Sequence, residues 1–221
     1  MSSAVIQLLV LAGIAVFLIL KLRSVLGTRD GFEQPPADMR EMEQAQNARN
    51  SFEVIDGGPD EDITDHVDEN SESGKALAAM KRIEPSFSVE EFLGGARGAY
   101  EMILMAFENG ELDDVKPFLA DEVFETFVDV VGAREDEGLT VEAVFGGVRE
   151  TTLVEAEFDR ATDTAEISVR LVGELSSVVR NAEGEIVEGS PDVMKRQKDV
   201  WTFARTMGRD DPNWQLVATG G

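Results

Sequence analysis

The spacing of apolar residues divides the chain into stretches of different character. Residues 4–20 (AVIQLLVLAGIAVFLIL) form an unbroken apolar run in which Gln7 is the single polar side chain. Continued to Leu26, with Lys21 and Arg23 snorkelling, a helix over 4–26 spans roughly 33 Å, enough to cross a hydrocarbon core of ~30 Å. Residues 27–85 have few large apolar side chains and no regular period. From Val89 the spacing turns helical, with Val89, Phe92, Ala96, Ala99 and Tyr100, Ile103 and Phe107 on one side. Ser88-Val89-Glu90-Glu91 has the S-x-x-E form of a capping box, and Asn109-Gly110 supplies a stop. A second helical stretch, Leu112 to Glu137, breaks at Pro117 and resumes at Asp121. It places Phe124, Phe127, Val128 and Val131 on one face and ends at Gly138.

The period then drops to two. Val154, Ala156 and Phe158 alternate, as do Ala165, Ile167, Val169, Leu171, Gly173 and Leu175, with turns at Asp159 to Asp163 and Asn181 to Gly184. Met194 to Met207 reads as a long strand with large side chains on both faces, and Asn213 to Ala218 as the last strand, with Trp214, Leu216 and Ala218 on one face. Helices followed by four turn-linked strands predict an α+β fold with a curved antiparallel four-stranded sheet. Gly173 is placed to let the long strand bend, so that the sheet curls around the first helix as an open cone. Inside that helix, Gly94, Gly95 and Gly98 each cost about 1 kcal/mol against alanine, and close approach of a strand or second helix is the expected reason. A phosphate cradle would place its glycines before the helix rather than within it.

Charge narrows the function. Lys and Arg number 20 against 44 Asp and Glu, a net charge of −24, which repels phosphate backbones and excludes nucleic acid as a partner. With no cysteine there is no disulfide and no thiolate chemistry. Between Asp30 and Gly74, fourteen acidic residues face only Arg40 and Arg49, broken by Pro35-Pro36, Gly57-Gly58-Pro59 and Ser71 to Gly74. Such a segment buries too little surface to offset its ordering entropy, so 27–85 is expected to be a disordered acidic tether, with Ala37 to Asn50 as its one candidate helix. The single histidine, His66, falls in this tether and is expected to be solvated rather than catalytic or metal-bound.

The apolar run lacks the preceding Lys or Arg and the following A-x-A-like site of a cleaved signal peptide; Lys21, Arg23 and Arg29 come after it. A retained single-pass anchor is expected, with residues 1–3 outside and everything beyond 26 on the cytoplasmic side.

Three stretches resemble a known family. FLGGARGAYEMILMAFENGELDDVKPFLADEVFETF (Phe92 to Phe127), NAEGEIVEG (Asn181 to Gly189) and above all DVWTFARTMGRDDPNWQLVAT (Asp199 to Thr219) are similar to the C-terminal domain of the Tim44 family. The resemblance runs from Phe87 to about Gly220, and W-x-F-x-R followed by D-P-N-W-x-L is its most specific part. It implies a cone-shaped fold of the nuclear transport factor two-like type over 86–221. It also implies an adaptor role at an inner membrane in protein import or membrane-protein assembly, which in mitochondria involves a seventy-kilodalton heat-shock chaperone and cardiolipin. The chain departs from the mitochondrial pattern in having its own anchor and a short acidic tether in place of a long basic chaperone-recruiting region. That layout resembles the bacterial members, and implies a protein of the bacterial inner membrane with its domain in the cytoplasm.

Within this frame, Trp201, Phe203, Arg205 and Asp199 share one strand face, and Trp214 lies on the neighbouring strand. One reading has the tryptophans closing the core and covering its rim, with Arg205 paired to an acidic neighbour such as Asp199. The other has them bind a partner or ligand together with Tyr100 and Phe107. The candidate binding residues are therefore Tyr100, Phe107, Trp201, Phe203, Arg205 and Trp214. The domain has no histidine, no Ser-His-Asp set, no P-loop and no metal-ligand cluster, so neither an enzyme, a cofactor nor a metal is expected. The expected function is a membrane-anchored adaptor for protein partners. The alternative is a binder of lipid or a small hydrophobic ligand in the cone, with Arg180 and Met194 to Lys198 as the basic residues for a headgroup.

Overall fold

In the computed structural model, which describes residues 60–220, the chain is already folded where a tether is expected. Helices α1 (Glu61–Thr64) and α2 (Glu72–Ile83) both precede Pro85. Ile63, Leu77 and Met80 join the core at 3%, 0% and 0% exposure. The acidity that argued for disorder is consumed locally. The Asp62 carboxylate accepts the N–H groups of Val89 (2.8 Å) and Glu90 (3.0 Å) and the hydroxyl of Ser88 (3.0 Å), at the positive end of the next helix. Lys81 Nζ lies 2.8 Å from Asp60 and 2.7 Å from Asp62. The expected disorder therefore fails for 60–85, and the domain begins by Asp60 rather than at 86. The expected anchor over 4–26 and the rest of the tether lie outside the described residues. No helix among the described residues is long and apolar enough to cross a membrane.

Helix α3 (Val89–Asn109) follows its sequence signals closely. Ser88 Oγ accepts the Glu91 N–H at 3.3 Å, and Gly110 ends the helix in the left-handed region at φ 76°. Val89, Phe92, Ala96, Tyr100 and Ile103 are buried on one side, as the spacing predicts. The three interior glycines behave otherwise than expected. Gly94, Gly95 and Gly98 are exposed, and a Cβ at any of them would meet nothing within 4 Å. A 3-10 turn (Lys116–Phe118) marks the break at Pro117, and α4 (Asp121–Asp136) follows. Its apolar face is only half covered: Val123 is buried, whereas Val128 remains 43% exposed.

Five strands, not four, make the sheet: β1 (Thr140–Asp159), β2 (Thr164–Arg180), β3 (Ile186–Gly189), β4 (Lys195–Thr206) and β5 (Gln215–Gly220). They run antiparallel in the order β1-β2-β4-β5, with β3 paired to the far end of β2. β3 is exposed along its whole length, so it carries no burial alternation to read. β1 starts at Thr140, well before the alternation at Val154, and register irregularities at 145/147, 148/150 and 153/155 interrupt its two-residue period farther along.

The sheet is open, and α3 packs on one face of it, over Ala165, Ile167, Val169 and Leu171, each at 0% exposure. Gly173 holds the close approach expected of the helical glycines: a Cβ there would sit 2.8 Å from Tyr100 Cε1 and 3.0 Å from its Oη. The free edge of β1 is blunted at two points. Arg97 donates to the Val148 carbonyl (3.0 Å), and the Ala156 N–H donates to Ser73 Oγ (3.0 Å).

Candidate functional site

Strand β4 presents Trp201, Phe203 and Arg205 inward on alternate positions, and α3 supplies Phe92 and Tyr100 two turns apart. Together they form a row of rings. Tyr100 lies edge-on to Trp201 (4.8 Å), Trp201 adjoins Phe203 (6.3 Å), Phe203 meets Phe92 edge-on (6.1 Å), and Phe92 packs on Trp214 (4.6 Å). Five of the six sequence-predicted residues thus meet in one assembly. Phe107 does not: it packs on Phe127 (4.7 Å) beneath the Arg134 guanidinium (4.3 Å), nearer the C-terminus of α3.

The inner end of the row is sealed. Tyr100, Trp201 and Phe203 are 0%, 4% and 2% exposed, so they fill the cone with their own side chains. The Tyr100 hydroxyl donates to Asp199 Oδ2 at 2.6 Å. Burial, and then this hydrogen bond, push the phenol far above its ordinary pKa, so it stays a protonated donor.

The outer end is held by charge. Arg205 lies with its guanidinium 5.2 Å from the Trp214 ring, donates to the Pro212 carbonyl (3.1 Å), and reaches Glu84 Oε2 at 2.6 Å. The expected Arg205–Asp199 pair is therefore incorrect. Asp199 is taken by Tyr100, and Glu84, from the supposed tether, is the partner. Burial pushes the Glu84 carboxyl up, but hydrogen bonds from Arg205 and the Gly208 N–H outweigh it and leave the group below its usual range. Trp214 itself is half-buried and precedes β5 rather than lying within it.

A separate open cleft of about 900 Å³ runs between α2 and the β1–β2 hairpin. Glu72, Glu155, Glu157, Asp159 and Glu166 line it, against Lys75 and Arg160. It is an acidic surface with no paired nucleophile and base. No group of three or more His, Asp or Glu among the described residues is arranged to hold a metal, and His66, half-buried just past α1, joins none. Near Phe107, burial raises the Glu108 carboxyl against the attraction of Arg134, while Ser177 donates to it at 3.4 Å. That group stands apart from the aromatic row.

Sequence reasoning missed Glu84, Asp62 and Lys81. A signal was present: Ser71 caps α2 by accepting the Gly74 N–H (3.0 Å), and Leu77 and Met80 stand at helical spacing behind it.

With the fold and the row in place, the chain can be set beside known proteins. The model of the Tim44-like domain matches residues 73–221, from within α2 to the C-terminus. The chain belongs to the Tim44-like family. Two curated relatives are the mitochondrial import inner membrane translocase subunit TIM44 of Homo sapiens and of Rattus norvegicus. The human protein is 25% identical over 150 residues, covering 66% of this chain and 33% of that protein; the rat protein is 23% identical over the same extent. The chain thus spans about a third of the length of these relatives. A crystal structure of the intermembrane space region of the chloroplast protein ARC6 aligns at TM-score 0.39 and 11% identity, over 66% of this chain and 94% of that one. The Tim44-like match includes α2, in agreement with a domain that reaches back beyond Pro85.

Proposed function

We propose that this Tim44-like protein is an adaptor of protein translocation or membrane-protein assembly, anchored by residues 4–26 in a bacterial inner membrane with its domain on the cytoplasmic side. The observation that carries this reading is the family match over 73–221, together with relatives named as subunits of an inner-membrane import translocase. The apolar run at 4–20 and the basic residues after it support the anchor and its orientation. Anchoring raises the concentration of the domain at a membrane-bound partner without any new contact. The domain acts by docking and performs no catalysis. The alternative, a hydrophobic ligand inside the cone, is disfavoured because Tyr100, Trp201 and Phe203 occupy that interior themselves.

Crosslinking in intact membranes followed by mass spectrometry tests the reading. The full chain is expected to recover a reproducible set of translocation or assembly proteins, and a chain lacking 4–26 to recover far fewer. Extraction of the full chain by alkaline carbonate, or a small molecule that stays with the purified protein in stoichiometric amount, would overturn it.

A further inference from the structure

We propose that the outer face of the sheet, the side turned away from α3, is a docking surface for an acidic, partly apolar segment of a protein partner. The proposal deepens the adaptor reading by naming the chemistry of what docks, and it rests on that reading.

Along β2, Arg170, Val172 and Glu174 alternate with the core residues Val169, Leu171 and Gly173 and so point outward. The register sets Val172 beside Lys198 and Glu174 beside Arg196 on β4. Arg149, at an irregularity of β1, reaches Glu174 Oε2 at 2.7 Å, and Arg196 reaches Oε1 at 3.2 Å. One carboxylate thus fixes two guanidiniums side by side while they remain 59% and 71% exposed. Arg170 and Lys198 are also exposed, and neither has an ion-pair partner among the described residues. Val172, flanked in register by Glu150 and Lys198, is only 7% exposed. On a chain of net charge −24, the stretch of this face around Val172 and Glu174 gathers four cations against two carboxylates, Glu150 and Glu174, while Glu155, Glu157 and Glu166 lie farther along it toward the β1–β2 hairpin.

An apolar shelf adjoins the cations. Val144 and Met194 are 64% and 45% exposed, and the Met194 methyl packs over Gly146, two residues from Val144. Single exposed apolar residues are ordinary, but two together beside a basic cluster form a composite surface. It suits a ligand that carries both carboxylates and an aliphatic side chain.

The occupant is a peptide segment and not an anionic bilayer. The same face bears Glu155 beside Ser168 and Glu157 beside Glu166, within one or two residue pairs of Arg170. Each two-residue step along a strand is about 7 Å, so a flat anionic surface laid on the arginines would press on these glutamates as well. A single strand or helix crossing the sheet can lie on the cations alone.

The test uses the full chain in nanodiscs of neutral lipid and a short fluorescein-labelled peptide of mixed Glu and Leu, read by anisotropy. The peptide is expected to bind, to weaken as salt rises, and to lose affinity when its Glu residues are replaced by Gln. The double variant Arg170→Glu with Lys198→Glu is expected to lose about tenfold or more in affinity while its near-UV circular dichroism stays unchanged. Equal binding by the variant, no binding by the unaltered chain, or a response to anionic vesicles but not to the peptide would overturn the proposal. Membrane crosslinking separates the two levels. Retained translocation partners without peptide binding remove this face alone, whereas loss of those partners removes the adaptor reading beneath it.

Discussion

Trp201 and Trp214 belong to one row of rings, yet the first is enclosed by apolar packing and the second is closed off by a charge pair. At the inner end, Trp201 is 4% exposed between Tyr100 and Phe203, and its surroundings are set by the longest strands. At the outer end, Trp214 is half-buried under Arg205, which in turn is held by Glu84. Glu84 ends α2, and the same segment is fastened to α3 through Asp62 and Lys81. The difference teaches that one domain is stabilised by two means: a core of packed rings, and a clasp made of carboxylates.

The largest expected effect separates the two indoles. Trp201→Ala should cost about 3–5 kcal/mol of unfolding free energy, and Trp214→Ala about 1–2 kcal/mol, measured by urea denaturation of the full chain. Equal costs would abolish the distinction between the ends.

Next comes the clasp. Asp62→Ala removes a carboxylate that accepts two backbone N–H groups and should cost about 2 kcal/mol. Burial works against ionisation of both Asp62 and Glu84, yet their hydrogen bonds hold each folded pKa below the ordinary 3.8 and 4.5. Groups shifted this way stabilise the fold fully above the unfolded pKa, and the contribution fades as pH falls through and below it toward the folded value. Hydrogen exchange below pH about 4 should therefore deprotect α2 before β2, and loss of protection in β2 first would contradict the comparison.

The smallest effect concerns α3 between the two ends. Gly94→Ala, Gly95→Ala and Gly98→Ala should each stabilise by about 0.5–1 kcal/mol, since the added methyl meets open space, and neither end should change its response to acid. Thermal melts of the three variants decide this; a drop in Tm would show that the exposed side of the helix is not free.

How legible each part was follows from the same physics. Helix α3 was readable because cap, period and stop agree at Ser88, Phe92 to Phe107 and Gly110. The first half of β1 was not, because its alternation over Val141, Ala143 and Phe145 is short and only half-buried, and it is broken at the irregularity after Phe145. Helix α2 was hidden by a linker-like Ser-Glu-Ser-Gly and by acidic neighbours whose use as hydrogen-bond acceptors only the folded chain displays. The grouping of Trp201, Phe203 and Tyr100 was recoverable from strand alternation and helix period. The partner of Arg205 was not, since Glu84 stands 121 residues away and belongs to a segment that composition assigned to solvent.

Gly173 and Tyr100 occupy what is physically one volume, shared between sheet and helix. A side chain gained at 173 therefore demands a smaller residue at 100 in the same step, and the smaller residue takes away the hydroxyl that Asp199 now accepts. Three positions on three elements are thereby bound to drift together, so homologous chains should vary there as a set or not at all.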